Sequence, residues 1–367
     1  MSAPRRLLIV SASMGSGHDT VATELARRAT QYGHHAQVVD VLGLLPYGLG
    51  PGLRGFYRSS VRHYPWAYAA LYRTFLRRGN GRRPSGVPLA RLAAGRLRDL
   101  ADRTGADVVV PVFHLAAQLT GHLRSRGLLA VPSAVLVIDF AVHRQWLHPG
   151  NDTYLCLTDE AAREVRQDIA VPAEAPGAVV APAFLAPAPG AARWSDWFTR
   201  HGPGRPPVLL SAGAWGVGSH LAATAALLAG HGYLPVVLCG RNVRLRSGLA
   251  GVPGTVALGW VSDMPGLLGA ARALVDNAAG QTAIQALAAG LPVVGYRPLP
   301  GHGADGVRRM AALGLSELAA DGAGLLGSLG RLTSAGSERE GRIAQGRTLF
   351  RDDVLTRVLA LCGAAAA

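Results

Sequence analysis

Between Leu258 and Pro300 the sequence alternates short apolar runs with helical stretches, a pattern that few folds accept. Ala273–Val275 and Pro292–Val294 show no polar alternation, which is typical of strands covered on both faces. Helical spacing runs from Thr282 to Ala289, and Gly290 ends that helix. Buried strands joined by helices predict a mostly parallel α/β sheet.

Two loops in the C-terminal half are built from small residues at predicted strand-to-helix turns. One is Asn277 to Gly280, and the other is Ser211 to Gly218, which follows the apolar run 207–210. Such turns let backbone N–H groups and a helix N-terminus approach an anion closely. Arg241 follows a third apolar run, where a guanidinium can clamp a phosphate. The C-terminal half of the sequence therefore predicts a diphosphate-binding site. The alternative is that the loops are ordinary βαβ turns and that Arg241 is a solvated loop residue.

The N-terminal half begins in the same way, with the apolar run 6–10, a glycine loop and an amphipathic helix. Gly15 and Gly17 after a strand, with Asp40 about twenty residues on, approach a dinucleotide-binding fingerprint. Thr20 replaces the third glycine and His18 interrupts the motif, which argues against a nicotinamide enzyme.

Residues 42–80 interrupt the regular rhythm with aromatic residues interleaved with arginines, among them Tyr57, Arg58, Trp66 and Tyr68. On helices this mixture is typical of a membrane interface, where rings lie at headgroup depth and guanidinium groups meet lipid phosphate. A helical pair packed on the domain is the alternative, and the two are compatible. Residues 81–85 predict a polar linker.

Charge, cysteine content and the length of the apolar runs indicate the kind of partner and the cell compartment. The 367 residues carry a formal net charge of +14, and every basic residue is arginine. This balance favours a polyanion or an anionic membrane surface, and no nucleic-acid-binding signature is found, so nucleic acid is not expected. Three scattered cysteines suit a reducing cytoplasm. No apolar stretch approaches about 18 residues, so any membrane association is expected to be peripheral.

The order of motifs along the chain resembles a known family. The motifs are the Gly15-Ser-Gly-His18 loop, Asp139-Phe140, the Gly213 loop, Cys239–Asn242, Leu258–Trp260, Ala279–Thr282, Gln285–Pro292 and Pro300-Gly301. They resemble the monogalactosyldiacylglycerol synthase and diacylglycerol glucosyltransferase group, glycosyltransferase family 28, over nearly the full chain. The resemblance implies an α/β fold of the GT-B type, with two Rossmann-like domains facing a central cleft. It implies an acceptor and membrane-side domain over 1–175, a linker over 176–205, a donor domain over 206–337 and a C-terminal helix over 338–367 that packs on the first domain.

The resemblance also implies the roles of individual residues. His18 would deprotonate the acceptor hydroxyl, with Asp139 as a second base or as the residue that orients His18; capping roles are the alternatives. Trp260 would stack on the uracil, with a core tryptophan as the alternative. The donor-binding residues would be Gly213, Ala214, Gly216, Arg241, Asn242, Trp260, Val261, Gly280, Gln281, Thr282 and Gln285. The acceptor and membrane residues would be Gly17, Tyr57, Arg58, Trp66, Tyr68 and His143.

Three positions depart from the family pattern on the donor side. Gln285 stands where the family has a ribose-binding glutamate, and Asn277 stands where it has a lysine. The segment 300–306 lacks the usual asparagine. A neutral acceptor at Gln285 is weaker than a charged one, so donor affinity or identity is expected to differ.

These features predict an inverting glycosyltransferase that moves a hexosyl group from a UDP-sugar to a lipid acceptor such as diacylglycerol. We expect it to be cytoplasmic and peripheral at the inner face of the cell membrane. No cofactor or metal is expected, because no Asp-x-Asp motif occurs and the UDP-sugar is a substrate. The alternatives are an enzyme acting on a secondary metabolite or prenyl-linked acceptor, and a non-catalytic nucleotide-sugar-binding or membrane-scaffold protein.

Overall fold

A computed structural model describes residues 3–77, 86–218 and 220–364, so the predicted linker at 81–85 lies outside the described residues. The chain forms two compact units, one of residues 1–179 with 350–367 and one of residues 180–349. None of the described helices is long and apolar enough to cross a membrane.

The first unit contains parallel strands in the orders β2-β1-β3 and β4-β5-β6, which a bridge between Val109 and Ser133 joins. Its strands are β1 Arg6–Ser11, β2 His35–Asp40, β3 Val108–Pro111, β4 Ala134–Leu136, β5 Thr153–Leu155 and β6 Ala173–Glu174. Its helices are α1 Gly17–Gln31, α2 Leu49–His63, α3 Pro65–Leu71, α4 Val87–Arg91, α5 Ala94–Thr104, α6 His114–Ser125 and α7 Asp159–Ile169, with a π-helical turn Tyr72–Leu76 and 3-10 turns Val41–Leu44 and Arg144–Trp146.

Strand β1 is covered on both faces, because its successive side chains enter opposite layers of the core. Leu8 and Val10 join the cluster that includes Leu97 of α5 and Leu119 of α6. Leu7 and Ile9 join the cluster on the other face, which includes helix α1. A strand covered on both faces has no polar alternation, as the sequence predicts.

The second unit is built on one six-stranded parallel sheet in the order β12-β11-β10-β7-β8-β9. Its strands are β7 Pro207–Ser211, β8 Leu234–Leu238, β9 Val256–Leu258, β10 Ala273–Asp276, β11 Val293–Tyr296 and β12 Glu317–Ala319. Its helices are α8 Ala191–His201, α9 Leu221–Gly230, α10 Val243–Leu249, α11 Met264–Ala270, α12 Gln281–Ala288, α13 His302–Ala312, α14 Gly322–Thr333 and α15 Ser337–Arg347, preceded by a 3-10 turn Pro182–Phe184. This is the doubly wound order, in which the connections reverse direction between β7 and β10.

Two segments differ from the expected boundaries. The expected C-terminal helix is two helices: α15 packs on α12 and α14 of the second unit, whereas α16 Val354–Ala364 packs on α1 and β3 of the first. Asp353 separates them, because its carboxylate accepts hydrogen bonds from the first backbone N–H groups of α16. Within the expected linker, residues 180–205 belong to the second unit, where α8 packs on α11.

Candidate active site

In the second unit, two small-residue loops meet where the strand order reverses. The loop after β7 (residues 212–218) and the loop after β10 (residues 277–280) leave the carboxyl ends of neighbouring parallel strands. In open α/β sheets this crevice is where ligands bind. The Asn277 side-chain amide donates to the carbonyl of Val217 at 3.3 Å, so it links the two loops. Asn277 therefore has a structural role in place of the family lysine.

The β7 loop also touches the loop after β8, and glycine is required at the contact. A Cβ on Gly216 would lie 2.4 Å from Asn242 Cβ and 2.5 Å from the carbonyl oxygen of Cys239. A Cβ on Gly240 would lie 2.4 Å from the carbonyl oxygen of Gly213. Asn242 holds the contact together, because its Nδ2 donates to the Gly216 carbonyl at 3.0 Å and its Oδ1 caps α10. The predicted donor residues Gly213, Ala214, Gly216, Arg241 and Asn242 thus come together.

Asp276, which the sequence analysis did not single out, shapes the β10 loop. Its side chain is 2% exposed and accepts backbone hydrogen bonds from Ala278 at 2.9 Å and Ala279 at 2.6 Å. Ala279 adopts a left-handed φ of 51°, which is strained for a residue with a Cβ. Burial raises the pKa of Asp276, while the loop N–H groups oppose that shift. The loop that precedes α12 is therefore held open by one buried carboxyl group.

Replacing Asp276 by asparagine tests this arrangement. A raised native pKa means that the native state binds more protons than the unfolded state. The contribution of protonated Asp276 to stability is therefore fully present below the unfolded pKa of about 4. It is lost as the pH rises through the native pKa. We expect the stability of Asp276→Asn relative to wild type to increase over that rise, as measured by urea unfolding at stepped pH. Asp276→Ala leaves two buried N–H groups without an acceptor and is expected to lose about 1–3 kcal/mol at every pH. A pH-independent difference between Asp276→Asn and wild type would contradict the raised pKa.

Backbone strain gathers at the same edge of the sheet. Of the five non-glycine residues with positive φ in the described chain, three follow the carboxyl ends of strands here: His220, Ala279 and Arg297. The Arg297 guanidinium also donates to the hydroxyl of Thr224 at 3.4 Å, and both side chains line a small cavity together with Asp276 and Asn277. Strained residues of this kind concentrate at functional sites.

Arg241 and Trp260 form a stacked pair beside the β7 loop. The Arg241 guanidinium lies 4.1 Å from the centroid of the Trp260 ring, and Trp260 is 53% exposed. The core-tryptophan alternative is therefore wrong. Val261, the next residue, is half-buried, and its contact with a donor stays a prediction.

The start of α12 carries the remaining donor candidates. Gly280 is exposed and precedes the first helical residue, Gln281, while Thr282 and Gln285 are half-buried on the first turns. Within the described residues, the Gln285 side chain has no hydrogen-bond partner, so its amide is available to a ligand. The structure places these residues directly after the loop that Asp276 shapes, and their contact with a donor stays a prediction.

In the first unit, His18 is the second residue of α1, which leaves the loop after β1. Its Nδ1 lies 2.7 Å from the carbonyl oxygen of Val112, which follows the neighbouring strand β3. A carbonyl only accepts hydrogen bonds, so Nδ1 must carry the proton. In the neutral imidazole, Nε2 then carries the lone pair and is the basic atom. The Val112 carbonyl, which the sequence analysis did not consider, thus fixes the tautomer that a general base requires.

Aromatic rings lie beside His18, and Asp139 contacts one of them, Trp146. Its ring contacts Phe113 edge-on at 4.9 Å and lies 6.3 Å from the ring of Trp146. Asp139 accepts a hydrogen bond from the Trp146 indole at 2.8 Å and lies 3.8 Å from Nε2 of buried His143. The partner at Nδ1 of His18 is therefore a backbone carbonyl, and the role of Asp139 as the orienting residue is not supported at that atom.

Tyr57 of α2 and Tyr68 of α3 lie near Asp139. Their rings meet edge-on at 5.4 Å and their hydroxyls are hydrogen-bonded to each other. Burial, with a smaller contribution from the charge of Asp139, raises the pKa of Tyr57 to about 12, so both hydroxyls stay protonated. Tyr68 and His143 are each only 4% exposed, so neither side chain faces outward, and their contact with an acceptor stays a prediction.

The exposed members of the acceptor set lie elsewhere on these helices. Trp66 is 72% exposed and Arg58 is exposed. Gly17 begins α1 next to His18. The set predicted from sequence therefore separates into buried or half-buried residues (Gly17, Tyr57, Tyr68 and His143) and an outward-facing pair, Arg58 and Trp66.

The chain is similar to known proteins in both sequence and fold. Residues 18–174 match the model of the monogalactosyldiacylglycerol (MGDG) synthase family. A processive diacylglycerol beta-glucosyltransferase of Bacillus thuringiensis (strain Al Hakam) is 27% identical over 323 residues, covering 81% of this chain and 77% of that protein.

Two solved structures share the fold. The glycosyltransferase SnogD from Streptomyces nogalater aligns with a TM-score of 0.62 and 16% identity, covering 99% of this chain and 100% of the other. Anabaena Alr3699/HepE, solved in complex with UDP-glucose, aligns with a TM-score of 0.55 and 12% identity, covering 98% of each chain. These alignments, with the doubly wound second unit, show the GT-B fold. The sequence matches identify the chain as a glycosyltransferase, a hexosyltransferase similar to family 28.

Proposed function

We propose that the chain transfers a hexosyl group from a UDP-sugar to a hydroxyl of a lipid acceptor such as diacylglycerol, with inversion at the anomeric carbon. The observation that carries the proposal is the pair of glycine-containing loops at the reversal of the second sheet, cross-linked by Asn277 and adjoining Arg241. Backbone N–H groups, a helix N-terminus and a guanidinium together suit a diphosphate. The UDP-glucose complex of the Anabaena protein supports this donor class.

In the proposed reaction, Nε2 of His18 takes the proton of the acceptor hydroxyl as its oxygen bonds to the anomeric carbon. The bond between that carbon and the diphosphate oxygen breaks, and the electron pair leaves with UDP. The N–H groups of the β7 loop and of α12, together with Arg241, stabilise the departing charge. No resident metal or cofactor is assigned a part, and the UDP-sugar is a substrate.

Support for a lipid acceptor comes from a surface that we call the interfacial patch. It consists of exposed apolar side chains on the helical region: Tyr47, Leu49, Phe56, Tyr64, Trp66 and Phe75. Exposed arginines, including Arg58, Arg73 and Arg77, lie in the same region. Rings at headgroup depth beside guanidinium groups suit an anionic membrane. We therefore propose peripheral binding at the cytoplasmic face, with no role for nucleic acid.

Transfer to diacylglycerol in vesicles, with UDP-glucose, UDP-galactose or UDP-N-acetylglucosamine as donor, tests the function. A thermal shift with UDP or one of these donors accompanied by lipid-linked product is the expected result, since a ligand of the native state raises the melting temperature. Turnover of soluble acceptors alone would favour a secondary-metabolite enzyme. Binding without turnover would favour the scaffold alternative. If neither UDP nor any of the three UDP-sugars raised the melting temperature, the UDP-sugar assignment would be wrong.

Trp66→Ala tests the interfacial patch. Loss of one inserted indole is expected to weaken sedimentation with vesicles containing anionic lipid by about 10-fold, because apolar burial drives interfacial binding. Tyr32→Ala is the matched control, since Tyr32 is 67% exposed but lies outside the patch. Equal effects of the two substitutions would place the membrane contact elsewhere.

A further inference from the structure

Arg241 is attached to the β7 loop through its backbone, while its side chain lies over Trp260. The Arg241 N–H donates to the carbonyl of Ala214 at 2.9 Å, and Gly240 packs directly on the same loop. The root of the side chain is therefore next to the proposed diphosphate site. Its guanidinium stacks at 4.1 Å on a tryptophan at the end of the neighbouring strand β9.

In the described part of the chain, the Arg241 guanidinium contacts only the Trp260 ring. It forms no ion pair with a carboxylate of the described residues. Arg241 is exposed, and Trp260 is half-exposed. A cation over a ring at an exposed site is a weak contact, whereas a guanidinium that clamps a phosphate in bidentate fashion is a strong one. An anion held by the β7 loop would therefore draw Arg241 from the ring.

We propose that Arg241 and Trp260 form a nucleotide-operated switch, an inference that rests on the proposed UDP-sugar site. In the free protein the guanidinium covers one face of Trp260. When a diphosphate binds at the β7 loop, Arg241 moves to it and exposes that face to the base. The base can stack well only when the diphosphate is present, so the pair favours nucleoside diphosphates and their sugars over bare nucleosides.

The switch makes opposite predictions for two ligands. Removing the guanidinium by Arg241→Ala takes a charged contact from UDP, and we expect UDP affinity to fall by about 10- to 100-fold. The same change uncovers Trp260 in the free protein, so uridine is expected to bind more tightly than to wild type. Arg241→Lys keeps the charge but lacks the planar fork, and is expected to retain part of the UDP affinity.

Isothermal titration of UDP and uridine into the full-length wild type and the variants decides the matter. Arg244→Ala is the control, because Arg244 is an exposed arginine on α10 three residues away and its loss changes the net charge equally. Weaker binding of UDP together with tighter binding of uridine in Arg241→Ala supports the switch. Weaker binding of UDP with unchanged binding of uridine would mean that Arg241 only contacts the diphosphate, which overturns it. Equal weakening of UDP and uridine would mean that Arg241 remains on Trp260 as part of the base platform, which overturns it. If wild type binds no UDP, the donor assignment fails and the switch fails with it.

Discussion

Replacing His18 by glutamine is expected to lower kcat for sugar transfer by about 10²- to 10⁴-fold, the usual contribution of a general base. Glutamine can still donate a hydrogen bond to the Val112 carbonyl, so the helix start is expected to keep its structure. What it lacks is the basic Nε2 atom. UDP affinity and the melting temperature are therefore expected to stay close to those of wild type.

Steady-state transfer assays, with UDP titration on the same preparations, check this expectation. His35→Gln is the matched control, because His35 is exposed at the start of β2. The strands are parallel, so this is the end of the sheet away from His18, which follows the carboxyl end of β1. If His18→Gln loses less than about tenfold in kcat, the base lies elsewhere, and Asp139 becomes the first residue to replace.

The second large effect, on both stability and UDP affinity, is expected for Gly216→Ala. Gly213→Ala is the matched control. Both glycines lie in the β7 loop with left-handed φ, +61° and +65°. Alanine at Gly213 meets no atom within 4 Å, so it is expected to cost only the conformational strain of about 1–2 kcal/mol. Alanine at Gly216 would collide with Asn242 and with the Cys239 carbonyl, which adds about 1–3 kcal/mol of overpacking.

Urea unfolding and UDP titration of both variants separate strain from collision. Gly216→Ala is expected to be the less stable variant and to lose most of its UDP affinity, because the β7 and β8 loops must move apart. Gly213→Ala is expected to retain more of both. Equal losses in the two variants would show that backbone conformation alone governs the loop, and that its contact with Asn242 is dispensable.

Much of the second unit follows from local sequence. Strands such as Ala273–Asp276 are buried on both faces, so their apolar runs stand out without any knowledge of their neighbours. Gly290 ends α12 in a left-handed conformation that glycine adopts without strain. The small residues of the two loops mark strand-to-helix turns in the same way, because close backbone approach excludes large side chains.

Other features depend on contacts between distant segments. Val112 orients His18 across 94 residues of chain, through a backbone carbonyl that any residue type would supply. Asp276 is an ordinary aspartate in the sequence, and only its burial and its bonds to Ala278 and Ala279 reveal its role. Tyr68 and Trp66 belong to the same aromatic pattern, yet one ring is buried and the other faces outward.

The sequence by itself determined the parallel α/β architecture, the two glycine-containing loops and the position of His18 at a helix start, because these depend on the spacing of apolar and small residues along a few turns of chain. The tertiary structure alone decided which atom of His18 is basic, which aromatic rings face outward and that Arg241 rests on Trp260. Burial and hydrogen bonding at these sites come from segments that only the folded sheet brings together, so no local pattern encodes them.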